Sequence, residues 1–352
     1  MNWEDNVRKV VPYVAGEQPK EQDVIKLNTN ECPYPPAPQV EAVIHGFDCD
    51  ILRKYPDMNA SALVKALARR HGLTDRQVFV GIGSDDVLAM SFLTFFNSKK
   101  PVLFPDITYS FYDVWADLFR IPYKCMPLDQ DFCIRKEDYF EENGGIVIAN
   151  PNAPTGVRAE VTVFEEIIRA NPDSVVIIDE AYVDFGGESC VPLIEKYDNL
   201  LVVQTFSKSR SMAGVRIGYA MGSEKLIGYL NDVKFSFNSY TMNAMTIAAG
   251  VASVENETYF KDTIAKVVST RERVKKELCR LGFVCTDSKT NFIFAEHRTV
   301  PAQEIFEALK ANKMYVRYWN KKRISNYIRI SVGTDEEMDK VLSFLETYLK
   351  NK

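Results

Sequence analysis

Metal and nucleophile chemistry has little raw material in this sequence. Its three histidines, His45, His71 and His297, lie far apart, which argues against a histidine-based metal centre and against a Ser-His-Asp triad. The seven cysteines are odd in number, scattered and never spaced as CxxC, so neither a disulfide framework nor a zinc site is suggested; the pattern fits a reducing cytoplasm. No run of about 18 apolar residues occurs, and the first residues, "MNWEDNVRKVVPYVAGEQ", have no apolar core of the kind a secretory leader needs. Charge is nearly balanced, 43 basic against 48 acidic side chains for a net −5, which leaves no electrostatic footprint for nucleic acid or an anionic membrane. Any anionic ligand must therefore be caught locally. Internal repeats and low-complexity tracts are absent too.

What is present is apolar and β-rich. With 352 residues, 46% of them hydrophobic, the chain can build one large core or two ordinary ones. From about residue 77 come "QVFVGIG", "PVLFP", "GIVIANP", "SVVIIDEAY", "LLVVQTFSK" and "VRIGYAMG", separated by helical patterns such as "FEEIIRANP". Continuous rather than alternating apolarity predicts strands covered on both faces, hence an α/β fold with a mostly parallel sheet. After 222 the texture turns helical. Asn256 opens a long amphipathic stretch ending at Gly282, and a smaller α+β set follows: "NFIFAE", "PAQEIFEALKAN", "MYVRYW", "YIRISVG" and a last helix with a Thr334/Glu337 capping box. The expected division is an arm over 1–45 that forms part of a small domain, a large domain over 46–255 and the rest of the small domain over 256–352.

Four of the buried strands end in polar residues, and in open α/β sheets ligands gather outside the carboxyl ends of the strands. Each ending has an ordinary reading. In "GIGSDD", Ser84 can cap a helix with Asp85 and Asp86 in its first turn; alternatively the helix start holds a phosphate on its backbone N–H groups with the acids pointing away. "NPNAPTG" can be a turn-rich connection, Asp179 a solvated carboxylate, Tyr109 a core aromatic and Arg216 a surface ion-pair partner. Lys208 is harder to pass over. Placed directly after "LLVVQTFS", it is costly if buried, unless its amine is neutralised, paired or used covalently.

Together, "NPNAPTG" at 150–156, "DEAY" at 179–182, "TFSK" at 205–208 and an arginine eight residues further on resemble the fold type I aminotransferases, which use pyridoxal 5'-phosphate. The resemblance implies a large domain with a mostly parallel central sheet flanked by helices, plus a smaller α+β domain. It implies that Lys208 attaches covalently to the cofactor, that Asp179 keeps the pyridine nitrogen protonated, that Tyr182 donates to the ring's phenolic oxygen and that Tyr109 stacks on the ring. The cofactor phosphate would be held by the backbone of Ser84 and Asp85, the hydroxyls of Thr205 and Ser207, and Arg216. Where most relatives carry an asparagine before Pro-Thr-Gly that bonds the phenolic oxygen, this chain has Ala153, and Asn152 is the neighbouring candidate for that contact.

Four further stretches, "PYVAGEQ", "KLNTNECPYPP", "RKYPDMNASAL" and "VRYWNKKRISNYIRISVGT", extend the resemblance over essentially the whole chain. They point to the branch of the family that exchanges an amino group between histidinol phosphate and 2-oxoglutarate, with glutamate as the other product. On that branch one site must bind both a carboxylate and a phosphate ester. Arg317 and Arg329, alternating with apolar residues on small-domain strands, have the guanidinium forks that suit both anions. Tyr13 either closes over the substrate or staples the arm in place. The resemblance also implies a homodimer with shared sites, in which Tyr55 reaches the cofactor phosphate of the partner subunit. Rival readings are an aminotransferase for aromatic amino acids, a related decarboxylase of phosphorylated amino acids, whose members carry a His-Gly-Gly segment that is missing here, and a non-catalytic regulator, which would bring a basic DNA-binding domain.

Overall fold

The computed structural model describes residues 2–14 and 16–352. The apolar runs form seven strands: β1 (Val78–Gly81), β2 (Val102–Pro105), β3 (Tyr123–Met126), β4 (Gly145–Ala149), β5 (Val176–Asp179), β6 (Leu200–Thr205) and β7 (Gly218–Gly222). They make one sheet in the order β1-β7-β6-β5-β4-β2-β3. Neighbours are parallel except β7, which runs antiparallel to both β1 and β6. Alternate residues feed two cores, one on each face: Ile146, Ile148, Val176, Ile178 and Val202 on one side, Val147, Ile177, Leu201 and Val203 on the other. That is why these strands read as unbroken apolar runs. The helix Val161–Ala170 covers one face by burying Phe164, Ile167 and Ile168, spaced three and four apart.

The smaller sheet is antiparallel, with β8 (Phe283–Cys285), β9 (Phe292–His297), β10 (Arg317–Tyr318) and β11 (Tyr327–Ser331) in the order β10-β11-β9-β8. Its core gathers Ile293, Ala295, Ile328 and Ile330 with Leu278 of the long helix Glu257–Arg280 and Val341 and Leu345 of the last helix. The last helix starts with the expected capping box: the Glu337 N–H donates to Thr334 Oγ1 at 3.3 Å, and the Thr334 N–H to Glu337 Oε2 at 2.8 Å. The arm joins this unit. Ile25–Lys26 pairs in parallel with Met314–Tyr315, and Leu27 sits in the same core.

Two strands escape the apolar-run reading. The first is β3, "YKCM", an edge strand with three of its four residues exposed. The second is β8, three residues long at the edge of the small sheet. Among the described residues no helix is long and apolar enough to cross a membrane.

Candidate active site

The carboxyl ends of β1, β5 and β6 and the entry to β7 close around a cavity of about 170 Å³ lined by Ser84, Asp85, Tyr109, Asp179, Tyr182, Lys208 and their neighbours. Asp179 is the last residue of β5, and Thr205 the last of β6, so Ser207 and Lys208 leave the sheet where Asp179 faces the cavity. Arg216, held in the left-handed region at φ 62°, turns the chain into β7 and lines the cavity opposite. A second cavity of about 440 Å³ opens outward and shares Tyr109, Tyr182, Lys208 and Arg216 with the first; Tyr13, Arg317, Trp319 and Arg329 line its far wall.

Asp179 forms the floor. It is 4% exposed, and its carboxylate accepts the Tyr112 hydroxyl at 2.8 Å and the Ala181 N–H at 3.2 Å. No cation stands within ion-pair distance of it among the described residues. Burial pushes its pKa up to about 6, against the opposing pull of the Tyr112 and Ala181 donors. A buried carboxylate facing a cavity fits a ligand with a cationic nitrogen.

At the other end of the small cavity lie the groups that suit a phosphate. The helix Ser84–Phe95 presents its N-terminus there, and Arg216 Nη1 reaches Ser207 Oγ at 3.5 Å, next to Thr205. The approach is so close that only glycine fits behind it. A Cβ on Gly83, whose φ is +99°, would run into the Arg216 guanidinium, and one on Gly218 into the Gly83–Ser84 peptide. With Lys208 between these two ends, the cavity fits pyridoxal phosphate: floor carboxylate for the ring nitrogen, amine for the aldehyde carbon, and cup for the phosphate.

Lys208, Tyr182 and Arg329 are joined through three consecutive residues of the arm. Lys208 Nζ donates to the Thr29 carbonyl at 3.0 Å, Asn30 Nδ2 donates to the Tyr182 hydroxyl at 2.9 Å, and Arg329 Nη2 donates to the Asn28 carbonyl at 3.0 Å. The tripeptide is pinned to the small sheet by Ser331 and Asn291. Arg329 and Arg317 are cross-strand partners on β11 and β10, so their side chains share one face. Arg329 Nε is buried and has no hydrogen-bond partner among the described residues. Burial lowers the Arg329 pKa to about 10, with Arg317 adding to the effect and Tyr182 opposing it. Tyr13 stacks on Phe111 with ring centroids 4.1 Å apart, and so bridges the arm and the large unit at the cavity rim.

Three expectations need correcting. Asn152 does not face either cavity: its amide donates to the Ile107 carbonyl and to Thr155 Oγ1, and its oxygen accepts from Thr108. In the turn that follows β4, closed by the Gly156 N–H donating to the Asn152 carbonyl at 2.8 Å, it is the adjacent Ala153 that lines both cavities. Ser84 is not the helix cap; Gly83 holds that position and Ser84 is the first helical residue. The acids of "GIGSDD" do not both point away. Asp86 folds back to accept the Ile82 N–H at 3.0 Å, whereas Asp85 lines both cavities, accepting the Tyr109 hydroxyl at 2.7 Å and lying 3.7 Å from Arg216.

Tyr55 lies outside both cavities. It is 82% exposed and stacks on Tyr240 at 4.6 Å. Residues that sequence reasoning passed over are Tyr112, Asn30 and Trp319. Asn30 and Trp319 sat in quoted stretches, but nothing local marks Tyr112, three residues after Tyr109, as the partner of an aspartate 67 positions on.

Comparison with known proteins follows the same lines. The sequence profile of the family "Aminotransferase class I and II" matches residues 22–345. A histidinol-phosphate aminotransferase of Lactococcus lactis subsp. cremoris is 56% identical over 352 residues, covering 100% of this chain and 99% of the relative. One of Brachyspira hyodysenteriae is 49% identical, covering 99% and 98%. Among solved structures, the fold matches histidinol-phosphate aminotransferase from Sinorhizobium meliloti in complex with pyridoxal-5'-phosphate, at a TM-score of 0.85 and 24% identity over 93% of this chain and 91% of that one.

Proposed function

The chain belongs to the class I and II aminotransferases, and from that premise we propose that it is a pyridoxal-phosphate-dependent histidinol-phosphate aminotransferase. It moves the amino group of L-histidinol phosphate to 2-oxoglutarate, giving imidazole acetol phosphate and glutamate, a step of histidine biosynthesis. The observation that carries the substrate is the pair of cross-strand arginines, Arg317 and Arg329, lining a cavity that also contains Lys208. Such a pair serves the phosphate ester of one substrate and the α-carboxylate of the other.

When bound, pyridoxal phosphate supplies an electron sink for the carbanion formed at the substrate Cα. Asp179 would hold the proton on the ring nitrogen. Tyr182, positioned by Asn30, would donate to the phenolic oxygen, and Tyr109 would pack against the ring. Ser84 and Asp85 backbone groups, Thr205, Ser207 and Arg216 would hold the phosphate. Lys208 Nζ would hold the cofactor at its aldehyde end and, as general acid and base, would take up and deliver the proton at the substrate Cα. Tyr13 covers the substrate from the arm, while Arg329 and Arg317 hold its anion.

We further assign the enzyme to the cytoplasm as a homodimer with Tyr55 entering the partner subunit's site. The support for the dimer is surface chemistry: Tyr55 and Tyr240, stacked on one another, are both exposed, as are Phe237 and Leu52. The domain boundary near 255 follows the change of core, from helix Ala244–Glu255 on the large sheet to Glu257–Arg280 on the small one; the expected boundary at 45 needs correcting, because Leu27 lies in the core of the small sheet whereas Ala37 and Val40 already lie in that of the large one.

The test is incubation with histidinol phosphate and 2-oxoglutarate, following glutamate and carbon dioxide together. Glutamate without carbon dioxide, in ping-pong kinetics, is the expected result; carbon dioxide release would overturn the reading. For the dimer, Lys208→Ala and Tyr55→Ala, each nearly inactive alone, are co-expressed. Random mixing makes half the dimers hybrids, so about a quarter of all sites become intact again. Hybrids that form yet stay dead would remove Tyr55 from the partner's site.

A further inference from the structure

Successive residues of a strand face opposite ways, so Glu180, directly after Asp179, turns to the side of the large sheet away from the cavities. It is 1% exposed and its carboxylate is fully engaged. Oε1 accepts the Cys190 N–H at 2.6 Å, while Oε2 accepts the Ser189 hydroxyl at 2.6 Å and Gln204 Nε2 at 2.8 Å. Gln204 Oε1 in turn accepts the Tyr219 hydroxyl at 2.6 Å, from its cross-strand partner on β7, and His71 Nε2 lies 3.3 Å beyond that hydroxyl. The surroundings of this polar line are apolar, with Ile178, Val202 and Met221. Its three central members each adjoin a residue that builds the inner cavity on the other face: Glu180 follows Asp179, Gln204 precedes Thr205, and Tyr219 follows Gly218, whose backbone presses on the phosphate cup.

A satisfied buried polar network gains little stability over an apolar core of the same shape, but it fixes one arrangement of the groups it joins. Backbone pairing stops short of the site. The β5–β6 register ends at Asp179 opposite Val203, with the Glu180 N–H donating to the Val203 carbonyl at 2.7 Å. The bond between Glu180 and Gln204 ties the two strand ends just past that point. We propose that Glu180 and Gln204 are positioning residues for the amino transfer, a relay on the far face of the sheet that sets the separation of Asp179 and Lys208. This rests on the functional reading above, since it concerns how that reaction's cofactor is met. The ring nitrogen and the aldehyde carbon belong to one rigid planar molecule, so an error in the spacing of the strand ends cannot be absorbed by the ligand.

The experiment exchanges the two partners. Glu180→Gln leaves either Gln204 or the Cys190 N–H without its acceptor, and Gln204→Glu sets two carboxylates face to face. The Glu180→Gln/Gln204→Glu double variant restores one donor and one acceptor between the strands, with oxygens left for the Cys190 N–H and the Tyr219 hydroxyl. Each single variant should lower kcat in both half-reactions by about tenfold with substrate KM changed by less than about twofold, and should weaken binding of pyridoxal phosphate to the cofactor-free protein by about fivefold; the double variant should return both quantities to within about threefold of the wild type. Single variants with a lower Tm but unchanged kcat and cofactor affinity, or a double variant no better than the worse single one, would overturn the proposal. Should the single variants fail to fold, Tyr219→Phe, which removes one hydroxyl from the far end of the relay, decides the matter: kcat lower by about threefold at unchanged KM is expected, and unchanged kcat and cofactor affinity would overturn the proposal as well. If the wild type processed neither substrate, the functional reading would fall, and the cofactor titrations of the same variants would still decide whether the relay sets the site.

Discussion

The two cavities are built by different means. The inner one rests mainly on strand ends of a single sheet, with Thr29 and Glu31 of the arm beside them, and its groups are fixed by hydrogen bonds from Tyr112, at the start of the helix Tyr112–Phe119, to Asp179 and from Thr205 to Ser207. The outer one is assembled from the arm, the rim of the large unit and two small-domain strands, and it is lined by aromatic rings and guanidinium groups. A rigid cup suits a cofactor that stays, while a wall made of separate segments suits substrates that alternate. Substitutions should therefore separate cleanly: inner changes alter how the cofactor is held and used, outer changes alter which substrate is accepted.

The largest effect tests the inner cavity. Lys208→Ala should lose activity by roughly a thousandfold or more yet still bind pyridoxal phosphate through the cup, with the visible spectrum of the unattached aldehyde. Borohydride labelling of a different lysine in the wild type would refute the assignment. Next comes the outer cavity: Arg329→Leu should reduce kcat/KM for both substrates by about a hundredfold, the cost of a charge-assisted fork, with cofactor affinity unchanged. Normal turnover of either substrate would break the comparison.

A smaller effect concerns the Asp179 floor. Its pKa near 6 means that the cofactor's cationic nitrogen meets an ionised partner only above that pH, so cofactor affinity should fall as pH drops through about 6. Asp179→Asn, which retains only the titration of the cofactor phosphate, provides the control. Tyr112→Phe removes a donor to the carboxylate and should move that fall upward by about one pH unit, weakening binding about fivefold at pH 6. An unshifted profile would make Tyr112 a packing residue only.

The smallest effect is on the cofactor-free protein. Because Asp179 binds its proton more tightly folded than unfolded, its contribution to stability is fully present below the ordinary carboxylate pKa and is lost as pH rises through about 6. Measured against Asp179→Asn, the wild-type Tm should therefore decline between pH 4 and 6, by on the order of 5 °C. A rise over that interval would mean that Asp179 is charged and paired in the folded state.

The inner cavity was far more legible in the sequence than the outer. Strands buried on both faces announce themselves as unbroken apolar runs, and polar residues directly after them stand out, which is how Asp179, Ser207 and Lys208 became visible. β3 did not, because an edge strand with three exposed residues carries no such run. Asn152 misled because composition gives no facing: the backbone points its amide at Ile107 and Thr155 and gives the cavity to Ala153. Tyr112 and Asn30 act across 67 and 152 residues of chain, through contacts that exist only after folding. Trp319 was quoted within "VRYW", yet its relation to two arginines depends on a cross-strand register that local pattern does not determine.

The tripeptide Asn28-Thr29-Asn30 touches Arg329, Lys208 and Tyr182 with three successive residues. It therefore works as a mechanical link between chemistry and occupancy. On the proposed role of Lys208, its use by the cofactor would alter the contact that the Thr29 carbonyl accepts, one peptide away from the carbonyl that steadies Arg329. The arm would then be a short covalent route between the lysine and the place where an anion is to land, separate from the central sheet.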